Sequence, residues 1–373
     1  VVDAQGLARA IGAIRAVPEF AVDLEAEAMH AFRARLCYLQ LGTDADIFLL
    51  DTLQPEVRAE ALGPLFEDAG RTKFIHAAGG DLQYLAEKGV RVAGLFDTHR
   101  AATLLGWPKV GLADLVREQL GVELKKEHQQ ADFSIRPLPS SMREYIADDV
   151  RYLTEIGRRV RQACRDADIL EEVQLDCDRM AADAVGRPEV AAFRLKLPRT
   201  GFTEPQRRLA YALAAELHAL RLKWAEAANV PMGMMLSNMA ITEIAKSPPA
   251  DLRSLAKSPG VRGSFVRTHG DEVLAKIQEL KARADRGELP APEADARPPD
   301  PKRRKREELL KDFRSKKAAE RKVTPSVVLP TALVEELANE PPSDRAALER
   351  IPWIGEKRLR LYGDELLALL GRV

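Results

Sequence analysis

A chain of 373 residues is longer than one ordinary domain, and 46% hydrophobic with 31% charged residues excludes a wholly disordered or fibrous protein. Lys+Arg 57 balance Asp+Glu 57, so the net charge draws nothing towards nucleic acid and any such attraction has to come from local asymmetry. No apolar run is long enough to cross a bilayer and no basic stretch followed by an apolar one opens the chain, so a cytoplasmic protein without a membrane partner is expected; Cys37, Cys164 and Cys177, without a CxxC pair, give neither a disulfide framework nor a zinc knuckle.

Phe20 to Leu24, Leu36 to Leu41, Asp46 to Leu50, Lys73 to His76 and Gly94 to Phe96 are short apolar runs bounded by Gly, Asp or polar residues, which predicts five strands of one sheet. Asp23-Leu24-Glu25 ends the first of them. Strand alternation places both carboxylates on one face with Leu24 opposite, a pair able to share a divalent cation, although about one Asp-x-Glu arises by chance in a chain of this composition. Leu82, Leu85, Leu104, Leu105, Leu112, Leu115 and Leu120 recur at helical spacing, and Met142 to Arg161 predicts one long helix over the sheet. Asp81 falls near a helix start, where it could reach the sheet edge or complement the helix dipole. Tyr145 and Asp149, four apart, share a helical face; alternatively Tyr145 packs and Asp149 pairs with Arg151 or Arg158. His76, Gln40 and His99 read as structural polar residues, while Lys125, Lys126, His128 and Arg136 flank the predicted helix and could meet phosphate.

From Glu204 the strand signal ends, and Leu209, Leu213, Leu217, Leu220 and Trp224 line one helical face. Prolines between Glu288 and Pro301 predict a linker. Residues 230 to 277 match the C-terminus at a constant offset of 93 without a gap: Val230, Leu236, Pro248, Pro249 and Leu255 meet Val323, Leu329, Pro341, Pro342 and Leu348, and Gly270-Asp-Glu272 meets Gly363-Asp-Glu365. Two copies of one helical module are therefore expected. Between Lys302 and Lys322 eleven basic residues face four acids, a local excess of seven that could bind nucleic acid without reading sequence or could be a solvated helix face.

The ordered set Ala21-Val-Asp-Leu-Glu25, Leu36-Cys-Tyr-Leu-Gln-Leu41, His76-Ala-Ala-Gly-Gly-Asp81, Phe96-Asp-Thr98, Arg136-Pro-Leu-Pro139 and Tyr145-Ile-Ala-Asp-Asp-Val-Arg-Tyr-Leu153 resembles the tyrosine-bearing branch of the DEDD exonucleases, and within it the ribonuclease D family; the repeated module resembles the HRDC domain. The resemblance implies an α/β, ribonuclease H-like exonuclease domain, with a mixed five-stranded sheet and helices on both faces, plus two all-α HRDC-type modules. It divides the chain into 1–170, a connector 171–200, a first module 201–285, a linker 286–301 and a second module 302–373. Asp23, Glu25, Asp81 and Asp149 are then metal ligands and, with Tyr145, catalytic; two divalent cations, Mg²⁺ or Mn²⁺, suit a donor set of oxygens alone. Asp23, Glu25 and Asp149 hold the cation beside the attacking water, Asp23 bridges to the second, and Asp81 holds that one through water, while Tyr145 orients the water.

The expected reaction is release of 5′-mononucleotides from RNA 3′ ends, with tRNA precursors and small structured RNAs as partners and no obligate protein partner. His76, Arg136 and Lys302, Arg303, Arg304, Lys305 and Arg306 are candidate nucleic-acid contacts, and a chain cut before Pro301 is expected to stay folded and active on short RNA. Two positions depart from the family pattern: Ala26 stands where an aromatic or histidine is common, and Asp132-Phe133 replaces Asp-Trp. A DNA exonuclease and a catalytically silent nucleic-acid scaffold are the alternatives.

Overall fold

The computed structural model describes residues 1–27, 31–124, 128, 131–185, 193–198, 200–291 and 300–373. The chain divides into two compact units, one formed by residues 1–26, 36–187 and 299–373 and the other by 27–35 and 188–298. Lys125 and Lys126, and residues 292–299 of the expected linker, lie outside the described residues. No described helix is long and apolar enough to cross a membrane.

In the first unit, helix α1 (Ala4–Arg15) precedes strands β1 (Glu19–Ala26), β2 (Leu36–Gly42) and β3 (Ile47–Asp51). Then come α2 (Gly63–Phe66), β4 (Thr72–Ile75), α3 (Gly79–Glu87), β5 (Leu95–Asp97), α4 (Thr98–Leu104), α5 (Leu112–Leu120), α6 (Ser140–Arg151), α7 (Leu153–Asp166) and α8 (Leu170–Ala184). The sheet runs β3-β2-β1-β4-β5 and is mixed: β1 is antiparallel to β2 and parallel to β4. Every residue of β2 is buried, so both faces of the sheet are covered there. Pairing between β1 and β4 covers Glu19 to Ala21 only, so the C-terminal half of β1 runs on beyond its parallel neighbour. Crevices at the carboxyl ends of parallel strands are where open α/β sheets place ligands.

Two expectations are corrected in this unit. The single helix over Met142 to Arg161 is two helices separated at Tyr152, which has φ −106 and ψ −10. Ile146, Val150, Leu153, Ile156 and Val160 are all buried, so the apolar stripe runs through the break and conceals it. The break falls where the chain crosses β2 closely: a Cβ on Gly42 would stand 2.8 Å from the Val150 carbonyl oxygen, and the Thr154 hydroxyl donates to the Gly42 carbonyl. The second correction concerns residues 171–184, expected as connector. They form α8, whose Val173, Cys177 and Ala184 join the sheet's core.

The second unit carries α9 (Glu204–Ala228), α10 (Met232–Met235), α11 (Asn238–Lys246), α12 (Leu252–Ala256) and α13 (Gly263–Asp285). The other copy, in the first unit, is α14 (Pro301–Arg321), α15 (Pro325–Val328), α16 (Thr331–Asn339), α17 (Arg345–Glu349) and α18 (Gly355–Leu370). The bounds of α10, α11 and α12 fall on those of α15, α16 and α17 at the offset of 93. Interactions repeat at the same offset. Arg221 donates to the Leu236 carbonyl at 3.1 Å and Arg314 to that of Leu329 at 3.2 Å. Trp224 Nε1 meets Glu272 at 2.9 Å, and Lys317 Nζ meets Glu365 at 2.7 Å.

The second copy differs where it docks on the first domain. Ser264 and Phe265 of the first copy are matched by Lys357 and Arg358. Glu172 of α8 is fully buried and bonds Lys357 Nζ at 3.2 Å and Arg321 at 3.1 Å, while Val327 enters the sheet's own core. A chain cut before Pro301 loses these ion pairs and the Val327 contact with the sheet's core. Removing both partners with Lys357→Met and Arg321→Met is expected to cost about 3–5 kcal/mol, the penalty of an unpaired buried charge, and Glu172→Gln added to that pair should recover much of it. Urea denaturation of the three proteins checks this, and equal midpoints would contradict it.

Candidate active site

Asp23 and Glu25 project from the part of β1 that has outrun β4, and a register irregularity after Glu25 marks where the β2 ladder loosens. Asp149 arrives from α6, which packs across β1, β2 and β3. Asp23, Glu25 and Asp149 each present a carboxylate oxygen within 4.8 Å of the others. Asp81 sits in the first turn of α3, just beyond β4. With Asp23, Glu25, Tyr145 and Asp149, His76 lines one cavity of about 410 Å³, which Leu112 and Leu124 also line.

The electrostatics follow from crowding. Burial, then Asp81, Asp149 and Glu25, hold the Asp23 carboxyl well above the ordinary carboxylate range. Burial, then Asp149 and Asp81, push Glu25 up to about 8. Asp81 rises to about 7 through burial and Asp97, and Asp149 to about 7 through burial and Asp148. Among the described residues none of the four acids pairs with an arginine or lysine. Clustered anions without a counter-charge, all oxygen donors, fit hard divalent cations. A second observation agrees: Gln40 stands opposite Asp23 in the β1–β2 register, fully buried, with neither amide atom hydrogen-bonded. An orphaned buried amide on that face is a polar group held beside the carboxylates at a cost.

The proton balance has a measurable sign. In the folded, cation-free protein these carboxyls keep protons up to about 7 to 8, whereas unfolded carboxyls lose them near about 4. The native state binds more protons across that window, so this cluster's contribution to stability falls as pH rises from about 4 to about 8. Cations take the deprotonated forms, so their binding tightens over the same range. With chelator present, the thermal midpoint should respond to pH in this sense, and added Mg²⁺ should raise it more at pH about 8 than at about 5.5; equal Mg²⁺ shifts at both would contradict the assignment.

Tyr145 lies one turn before Asp149 on α6, its ring stacked on Phe133 at 6.3 Å and met edge-on by His128 at 5.9 Å. Burial, then Asp149, Glu25 and Asp23, push its phenol far above its ordinary value, so the hydroxyl keeps its proton. Phe133, where the family places Trp, thus walls the tyrosine. His76 bonds Thr98 Oγ1 at 2.9 Å and is depressed to about 4 by burial, which leaves it neutral at pH 7.

Sequence reasoning missed Asp97. It is 1% exposed, and its carboxylate accepts from the backbone N–H groups of Ala77, Ala78 and Arg100. Ala77 has φ 61, a left-handed conformation that costs a non-glycine residue about 1–2 kcal/mol, so Asp97 holds the strained turn from which α3 delivers Asp81. The available signal was Phe96-Asp-Thr98, a strand end running straight into a helix.

Two candidate nucleic-acid contacts are corrected. Arg136 gives both sides of its guanidinium to Asp51 at 2.7 Å and to the carbonyls of Phe133, Ile135 and Cys37, so it pins a loop to the sheet instead of offering donors to phosphate. Arg306 is buried and bonds the Ala338 carbonyl at 2.7 Å. Arg303 and Arg304 pair with Glu307 and Glu308 one turn on, while Lys302 and Lys305 stay exposed on α14. The basic stretch lies outside the cavity that holds the acids.

A mixed sheet that gathers four acids and a protonated tyrosine at the free end of its central strand, followed by a duplicated helical module, defines a 3′-5′ exonuclease of the tyrosine-bearing DEDD type. The 3′-5′ exonuclease family model matches residues 1–164, and the HRDC domain model matches 211–277 and 304–370. The ribonuclease D of Acidiphilium cryptum is 31% identical over 99% of this chain and 94% of its own, and that of Gluconacetobacter diazotrophicus 30% over 95% and 88%. The crystal structure of Escherichia coli RNase D, described as an exoribonuclease involved in structured RNA processing, superposes with a TM-score of 0.68 at 23% identity, covering 100% of this chain and 98% of that one, a likeness of fold. The chain belongs to the ribonuclease D family and is a 3′-5′ exoribonuclease.

Proposed function

We propose that this enzyme trims the 3′ ends of tRNA precursors and other small structured RNAs in the cytoplasm, with two divalent cations, Mg²⁺ or Mn²⁺. The convergence of Asp23, Glu25 and Asp149 within 4.8 Å, without a neutralising side chain, carries this reading. Asp23, Glu25 and Asp149 would hold one cation, and Asp23 with Asp81 the other. When bound, such cations make water acidic enough to attack a phosphodiester and offset charge on the leaving oxygen.

The chain's own groups then have separate tasks. Tyr145, protonated, aims its hydroxyl at the attacking water as a donor, with Phe133 and His128 fixing the ring. Asp97 keeps Asp81 in place through the Ala77 turn. Leu112 and Leu124 give the terminal base an apolar wall in place of the aromatic platform missing at Ala26. The exonuclease domain with the second module docked on it, and the first module, act together as one RNA-handling chain. A tRNA precursor with a 3′ extension and a matched DNA oligonucleotide, incubated with Mg²⁺ or Mn²⁺, test the substrate: the RNA should shorten to 5′-mononucleotides faster than the DNA, and equal rates would overturn the RNA assignment.

A further inference from the structure

The first helical module contains a cleft of about 610 Å³, within the size range of small-ligand sites and lying wholly inside the second unit. Arg194, Lys196, Arg221, Ser237, Asn238 and Thr242 line it, and no acidic residue does among those described. Arg221 is its floor. Only 4% exposed, this side chain donates to the Leu236 carbonyl at 3.1 Å and to Asn238 Oδ1 at 2.7 Å, and meets His218 Nδ1 at 2.7 Å. Each of these partners is uncharged, and Nε has none at all.

A guanidinium does not shed its proton at ordinary pH, so a full positive charge is buried here without a counter-charge. Burial disfavours the charge on Arg221, and the centre of the Phe193 ring stands 5.9 Å from its guanidinium carbon. The second copy shows which part of this is scaffold. Arg314 makes the same bond to Leu329, so tying this arginine to a carbonyl belongs to the module in general. Arg314 is half-buried, however, and Lys311 and Thr331 stand where the first copy has His218 and Asn238. Phe193, Arg194 and Lys196 enclose the first copy's arginine from a segment preceding α9, and Arg194 and Lys196 are themselves exposed with no ion pair among the described residues.

We propose that this cleft is a phosphate-binding subsite that takes a backbone phosphodiester of the RNA, with Arg194 and Lys196 at its mouth and Arg221 beneath. Rigid donors around an uncompensated cation favour a phosphate over a neutral group, and the charge contact reads no sequence. The site lies in the first module, whereas composition alone directs attention to the basic stretch of the second. This inference rests on the RNA reading above.

The test uses the full chain with chelator present, so that RNA binds without being cut. Labelled single-stranded RNA is titrated at several salt concentrations into the wild-type protein, into Arg194→Glu with Lys196→Glu, and into Arg221→Met; inorganic phosphate is titrated separately. The double variant should bind at least about tenfold more weakly with a salt slope shallower by about 0.7, the share of one phosphate of a single strand, and should keep the wild-type thermal midpoint. Arg221→Met should weaken binding as well; its midpoint shows whether it folds, and the two exposed positions decide the matter if it does not. Wild-type binding with the double variant unchanged in affinity and slope overturns the subsite and leaves the nuclease reading intact. Failure of the wild-type protein to bind RNA overturns both. Inorganic phosphate binding as tightly as the RNA assigns the cleft to free phosphate and overturns the backbone assignment.

Discussion

Asp23→Asn and Asp149→Asn are each expected to lower kcat/KM for RNA hydrolysis by at least about 10³-fold, because each removes a charged ligand from an interaction that supplies several kcal/mol in the transition state, at about 1.4 kcal/mol per tenfold. The fold should not suffer. Burial and three neighbouring acids disfavour a charge on Asp23, so a neutral amide of the same shape carries no such penalty in the cation-free protein. The thermal midpoint at pH about 8 should therefore equal or exceed that of the wild type, while the stabilisation given by added Mg²⁺ shrinks. Single-turnover digestion and thermal unfolding, run with and without cation, separate these effects. Full activity in both variants would remove the metal-ligand assignment.

Tyr145→Phe carries the second large effect. Only the hydroxyl leaves; the ring keeps its stacking on Phe133 and its edge contact with His128. An orienting or acid–base group is worth about 10²–10⁴-fold, so kcat should fall by that order while cation affinity stays the same. Because burial and the neighbouring acids hold the phenol protonated far above neutral pH, a tyrosine that orients water gives no rise in rate from its own ionisation in the neutral range. An unchanged kcat would return Tyr145 to packing.

The five strands were readable because each is a short apolar run closed by polar residues, and the four acids because their order along strand, helix start and late helix is specific even though each alone is common. Other features left weaker traces. Helix α1 went unread although Asp3 caps it and Leu7, Ala10 and Ile14 lie on its buried side. Alanine and glycine between those positions dilute the stripe. The break at Tyr152 is invisible to periodicity because buried residues continue through it.

Charge was the least legible quantity. Arg136 and Arg306 count as basic in any composition, yet backbone carbonyls and carboxylates consume their donors, and Asp51, Cys37 and Ala338 among those partners lie far away in sequence. The docking of the second module likewise depends on Glu172 meeting Lys357 across 185 positions. One signal of it was present: at the offset of 93, Lys357 replaces the exposed Ser264 and Arg358 the buried Phe265, and cations are rarely buried unless partners receive them.

The central claim is that these acids cut RNA from its 3′ end with divalent cations. Digestion of one RNA labelled at its 3′ terminus in one sample and at its 5′ terminus in another, with Mg²⁺ and then with chelator, tests it in a single experiment. The 3′ label should appear at once as a mononucleotide, the 5′ label should pass down a ladder of shortening products, and chelator should stop both. Immediate release of the 5′ label, or digestion that continues undiminished in chelator, would contradict the account.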